Sequence, residues 1–145
     1  MIESEYEKVV VIEQLEKEVG GSMRPVREVM STELVTVDPS ASVGEAATVM
    51  GIKRVGSLLV MHEGKLIGIF TERDVVRALS QGGAGWESVR HWMTHRPVTV
   101  EPVAAVEQAL QIMIEKHFRH LPVVENGLLV GVVSIRDLSR AAFGA

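Results

Sequence analysis

"GIFTERD" at residues 68–74 and "GVVSIRD" at residues 131–137 are one phrase written twice. Each reads as the end of a buried strand, a turn and the start of a helix, with Gly, a hydroxyl residue and Asp in the same register. Outward from this junction, Val26 laid on Val89 aligns the chain with itself without a gap as far as Asp74 on Asp137. Nineteen of those 49 pairs are identical, among them Met30/Met93, Pro39/Pro102, Met50/Met113 and Gly68/Gly131. Self-similarity of this regularity marks a duplicated structural unit.

Each copy reads as strand, helix, strand, strand, helix, a mixed α/β (α+β) unit of order β-α-β-β-α. "LVTV" at 34–37 is a short β-prone run closed by Asp38-Pro39, and proline discourages helix in the residue before it. Ser42-Val43-Gly44-Glu45 has the spacing of a capping box, after which Val43, Ala46, Ala47, Val49 and Met50 fall at helical intervals. "SLLVM" and "KLIGIF" are compact apolar strands on either side of His62-Glu63-Gly64, and the corresponding turn in the second copy is Asn126-Gly127. Helices starting at Thr71 and Ser134 close the copies. A unit of about 50 residues has little core of its own, so the two are expected to pack through their sheets about a pseudo-two-fold axis. The expected boundaries are 24–80 and 89–145, joined by a glycine-rich linker at 81–88. Residues 1–23 form an N-terminal extension. Tyr6, Val9, Ile12, Leu15 and Val19 predict a helix there that ends at Gly20-Gly21, with a strand through "VVVI" at 9–12 as the alternative.

Composition narrows the function. The chain has 145 residues, a net charge of −4 and 4% aromatic residues. Neither phosphate-backbone binding nor base stacking is favoured by these values, so no nucleic-acid partner is expected. Absence of cysteine excludes disulfides, thiolate metal sites and cysteine nucleophiles. The acidic start lacks the order of a signal peptide, and no apolar run approaches the ~20 residues of a membrane span. A soluble, cytoplasmic protein is expected.

By itself, Thr71-x-x-Asp74, like Ser134-x-x-Asp137, has the spacing of a helix cap, which stabilises a helix start without any ligand. Three features add a binding reading. Gly68 and Gly131 interrupt apolar strands, where glycine marks close approach of a ligand or another backbone. Free amides at a helix start attract anions, and an Asp one turn on can accept from the vicinal hydroxyls of a ribose. Thr36 and Thr99 stand in otherwise apolar strands, placed to read the edge of a flat heterocycle. Together these parts describe a purine nucleotide.

"VTV", a helix, "GSLLV" or "RHLPVV", then "GIFTERD" or "GVVSIRD" resembles tandem cystathionine beta-synthase (CBS) domains over about residues 24–143. The resemblance implies a Bateman module, two CBS repeats packed through their sheets with ligand clefts between them, dimerising into a disc. It implies an adenosine-containing regulatory ligand: AMP, ADP or ATP first, with S-adenosylmethionine or NAD as alternatives. Thr36 and Thr99 then match the threonine beside the base, Thr71 and Ser134 the hydroxyl near ribose or phosphate, and Asp74 and Asp137 the ribose-binding acid. An unidentified regulated protein is the implied partner, and the rival reading is an oligomerising scaffold with vestigial clefts.

The copies differ where the family often places phosphate-binding cations. The second carries Arg119-His120, whereas Gly56-Ser57 stands there in the first, which predicts two sites of unequal affinity. Arg73 and Arg136 are further candidates for phosphate. His91 and His95 are four apart, but Pro97 leaves little helix and no zinc-protease Glu accompanies them, so no metal site is expected. Ser134 answers Thr71, and this interchange suits a hydroxyl that binds better than a tuned nucleophile. The chain is not expected to be an enzyme.

Overall fold

The structure is a computed structural model that describes residues 24–82 and 85–143, so the helix expected in residues 1–23 lies outside the described residues. Two compact units emerge, one of residues 33–98 and one joining residues 24–32 to 99–143. These units do not coincide with the sequence copies. The segment that leads into each copy is packed within the unit of the other.

In the 33–98 unit the elements are β1 (Thr36–Val37), α1 (Val43–Lys53), β2 (Ser57–His62), β3 (Lys65–Thr71), α2 (Glu72–Ser80), α3 (Val89–Trp92) and β4 (Thr94–His95). The four strands make one sheet in that order, β1 parallel to β2 and the other pairs antiparallel. Glu63 and Gly64 both take positive φ, as the tight turn between β2 and β3 requires. Ser42 and Glu45 close the expected capping box, with bonds of 3.0 and 3.2 Å. Leu58, Val60 and Phe70 from the hairpin meet Val43, Ala46 and Met50 of α1, together with Val89 and Trp92 of α3. Part of the expected linker is therefore structural: Glu87 O and Gly85 O accept the amides of Val43 and Gly44, each at 2.8 Å.

The other unit holds a 3-10 turn (Val26–Glu28), α4 (Val106–Lys116), β5 (His120–Glu125), β6 (Leu128–Ser134) and α5 (Ile135–Phe143). Its hairpin turn, Asn126-Gly127, again has two positive φ values. The strand expected around Thr99 is reduced to a single parallel bridge, Val100 to Val123. Chemistry explains the loss. Leu59 donates its amide to Val35 O at 3.0 Å in the first copy, and its counterpart Pro122 has no amide to donate. On the opposite edge Ser31 bridges Val132, as Thr94 pairs with Ile69 in the first copy.

The repeated glycines explain how these lead-in segments fit. A Cβ on Gly131 would lie 2.6 Å from Met30 Sδ and 2.9 Å from Ser31 O; on Gly68 it would lie 2.5 Å from Met93 Sδ and 3.0 Å from Thr94 O. Ser31 cannot easily retreat, because its amide and carbonyl both bond Val132, at 2.8 and 3.0 Å. The close approach read from the sequence is thus to the protein's own chain. Gly131→Ala and Gly68→Ala are each expected to destabilise the protein by about 1–3 kcal/mol. Urea denaturation checks this, and unchanged midpoints for both variants would contradict the packing.

Candidate functional site

The two strand-to-helix junctions are built alike. Thr71 ends β3 in extended conformation and caps α2. Its amide donates to Asp74 Oδ2 at 2.9 Å, its hydroxyl lies 3.3 Å from the same oxygen, and the reciprocal box is closed. The first helical amide, Glu72 N–H, donates to Gly56 O at 3.2 Å. At the second junction Ser134 N–H donates to Asp137 Oδ2 at 2.8 Å and Asp137 N–H donates to Ser134 Oγ at 3.0 Å. Ile135 N–H donates to Arg119 O at 3.0 Å. Three amides at each helix start are therefore engaged within the protein, and the anion site expected from free amides is narrower than the sequence suggests.

Strand register gathers the other candidates unit by unit. Ser57 is the cross-strand partner of Thr71, and Thr36 that of Leu59. Because side chains alternate along a strand, Thr36, Leu59, Ser57 and Thr71 share one face of the sheet, opposite the face that Leu58, Val60 and Phe70 turn to the helices. Thr36 is exposed, while Ser57 is buried. In the other unit His120 pairs with Ser134 across the hairpin, which sets Arg119-His120 beside the start of α5. Thr99 is exposed next to Val100, which bridges Val123, one residue beyond Pro122. Arg73, Arg119 and Arg136 are exposed, and His120 is half-buried.

The two acids differ. Asp74 is 4% exposed, and its second oxygen, Oδ1, accepts from Arg77 Nη1 at 2.9 Å. Asp137 is half-buried, and no hydrogen bond is made to its Oδ1 among the described residues. Arg77 was not a candidate from sequence, although its place three residues after Asp74 was a readable signal. Among the described residues no group of three or more His, Asp or Glu could hold a metal ion. His91 lies on α3 and His95 on β4, where His95 Nε2 is 3.0 Å from Arg90 O. Among the described residues no helix is long and apolar enough to cross a membrane.

Burial pushes the Asp74 carboxyl above its ordinary value of 3.8, against the opposing pull of the Thr71 amide and Arg77. The folded state thus releases this proton at higher pH than the unfolded chain does. The stability it contributes is full below the unfolded value and is lost as pH rises through the folded one. Asp74→Asn removes the titration and keeps an acceptor for Thr71. From about pH 4 to about pH 7 the wild type is expected to lose stability relative to this variant. Urea midpoints across that range check it, and the opposite trend would show that the cap and the Arg77 pair outweigh burial.

The family model for the CBS domain matches this chain twice, over residues 26–81 and 89–144. The CBS domain-containing protein YhcV of Bacillus subtilis is 36% identical over 118 residues, covering 81% of this chain and 84% of the relative. Among solved structures, the CBS domain protein PAE2072 from Pyrobaculum aerophilum, complexed with AMP, is 30% identical with a TM-score of 0.73, covering 79% of this chain and 89% of that one. The CBS domain pair of protein MJ0100, in complex with 5′-methylthioadenosine and S-adenosyl-L-methionine, is 27% identical with a TM-score of 0.79, covering 85% of this chain and 98% of that one. Two matched segments account for nearly every described residue, and the chain belongs to the CBS domain family as a tandem pair.

Proposed function

We propose that this CBS pair is a regulatory module whose ligand is an adenine nucleotide of the AMP, ADP or ATP type, held chiefly by the second copy. One observation carries the reading. Asp137 satisfies the Ser134 amide with Oδ2 alone, and the half-buried carboxylate keeps Oδ1 for ribose hydroxyls. Capping and sugar binding are then compatible duties of one side chain. The Ser134 hydroxyl, beside the half-buried His120 and exposed Arg119 and Arg136, completes a polar and cationic surround suited to ribose and phosphate. Thr99 is the candidate for the base edge, as are Thr36, Ser57, Thr71, Arg73 and Asp74 for the corresponding roles in the first copy.

Solved relatives with AMP, or with S-adenosyl-L-methionine and 5′-methylthioadenosine, support an adenosine moiety as the common element. A binding role also suits Ser134 better than a nucleophilic one, because its Oγ already accepts the Asp137 amide at 3.0 Å. Signalling follows if the ligand binds two conformations, or two states of association with a second copy or a regulated protein, with different affinity.

Isothermal titration with AMP tests the reading. Asp137→Ala, which removes a charged acceptor, is expected to weaken binding by about tenfold to a hundredfold. In the wild type, AMP at 100 times Kd should stabilise the fold by about 2.7 kcal/mol. If Asp137→Ala lowers stability but leaves AMP affinity unchanged, the acid is a cap only. If AMP, ADP, ATP and S-adenosyl-L-methionine all leave the melting temperature unmoved, the scaffold reading takes its place.

A further inference from the structure

Arg77 and Arg140 occupy the same position in the two copies, three residues after the capping Asp. Among the described residues only Arg77 is engaged. Arg77 Nη1 donates to Asp74 Oδ1 at 2.9 Å, and the guanidinium carbon lies 5.7 Å from the centroid of the Trp92 ring. Trp92 is itself held, its Nε1–H donating to Glu87 Oε2 at 2.9 Å, with the His91 ring edge-on at 5.2 Å. The counterpart of Trp92 is Val29, which has no π face to brace a guanidinium. Among the described residues Arg140 makes no ion pair with Asp137.

We propose that Arg77, braced on Trp92, is a latch on the sugar-binding acid of the first copy. It occupies Asp74 Oδ1, so ribose hydroxyls reach that oxygen only after the guanidinium swings away, and the second copy is left as the higher-affinity site. The inference rests on the nucleotide-binding reading and assigns its specificity-determining residue. The geometry makes the latch both effective and releasable. Asp74 Oδ2 is committed to Thr71, and the Asp74 side chain is 5% exposed, so no accessible part of the carboxylate remains for a competing diol. The Arg77 side chain is 47% exposed and can be rehydrated when displaced. Its departure uncovers the Trp92 ring, which converts occupancy of the first copy into a change around the residues that lead into the second.

The test uses the full chain with Trp86→Phe, which leaves Trp92 as the only remaining one of its two tryptophans. Asp137→Ala weakens the second copy so that the first is read more clearly, and AMP is titrated by calorimetry and by tryptophan emission. In this background Arg77→Gln is expected to tighten AMP binding by roughly tenfold, the value of one charge-assisted competitor removed. Arg77→Lys, which restores a cation for Asp74, returns the weaker affinity. With Arg77 intact, AMP shifts Trp92 emission, and with Arg77→Gln the shift shrinks. Unchanged or weaker binding by Arg77→Gln overturns the latch. So does an absence of binding in both backgrounds when the protein with Asp137 intact binds AMP. If the protein with both acids intact does not bind AMP, the same titrations are run with ADP and ATP; binding of none of the three overturns the nucleotide reading, and the latch falls with it. Should Arg77→Gln fail to fold, emission of Trp92 at saturating AMP with Arg77 and Asp137 in place decides: a shift supports the latch, and an unmoved spectrum overturns it.

Discussion

A methionine resting on a glycine sets the position of nearly everything in each unit. Met30 lies against Gly131 and Met93 against Gly68, contacts that only the absence of a Cβ allows. They bring the lead-in segment close enough to bond the strand edge, Ser31 to Val132 in one unit and Thr94 to Ile69 in the other. Three residues beyond each glycine stands the hydroxyl residue that caps the following helix. The strand that carries the candidate site is thus pinned at its centre and presents the site at its end. The same crossing buries Val26 and Val89 completely, so the small core of each unit draws on both ends of the repeat.

On this frame the capping aspartates divide into two types. A carboxylate has two oxygens, and the helix start needs one. Asp137 gives one to Ser134 and retains the other in a half-buried setting. Asp74 gives one to Thr71 and the other to Arg77, in a setting where burial disfavours its charge. Equivalent positions in the two copies therefore carry unlike chemistry: Arg77 lies against Trp92, and the second copy has Val29 at the position of Trp92. On the proposed reading this inequality would give two sites of different affinity, which respond over a wider range of ligand concentration than one.

Much of the fold was legible in residues whose physics is local. Glu63-Gly64 and Asn126-Gly127 need positive φ and take it; Ser42 and Glu45 close their box. The capping role of Asp74 and Asp137 was readable for the same reason. What escaped depends on partners distant in sequence. The glycine spacing signalled a close approach but not which segment approaches, and the division of the chain at residues 32 and 98 follows from that crossing. The missing amide of Pro122 matters only once Val100 is known to bridge the neighbouring Val123, as Val37 pairs with Val60 in the first copy. The pairing of Arg77 with Asp74 also escaped, as did its contact with Trp92, a residue beyond the linker. The helix expected in residues 1–23 falls outside the described residues.

The central claim is that one carboxylate both closes a helix cap and grips a sugar. A crystal structure of the protein grown with AMP tests it most directly. The claim predicts ribose hydroxyls within hydrogen-bond distance of Asp137 Oδ1, with the Ser134 amide still bonded to Oδ2. Nucleotide bound with its ribose remote from Asp137, or an Asp137 pulled off its cap to reach the sugar, would contradict it.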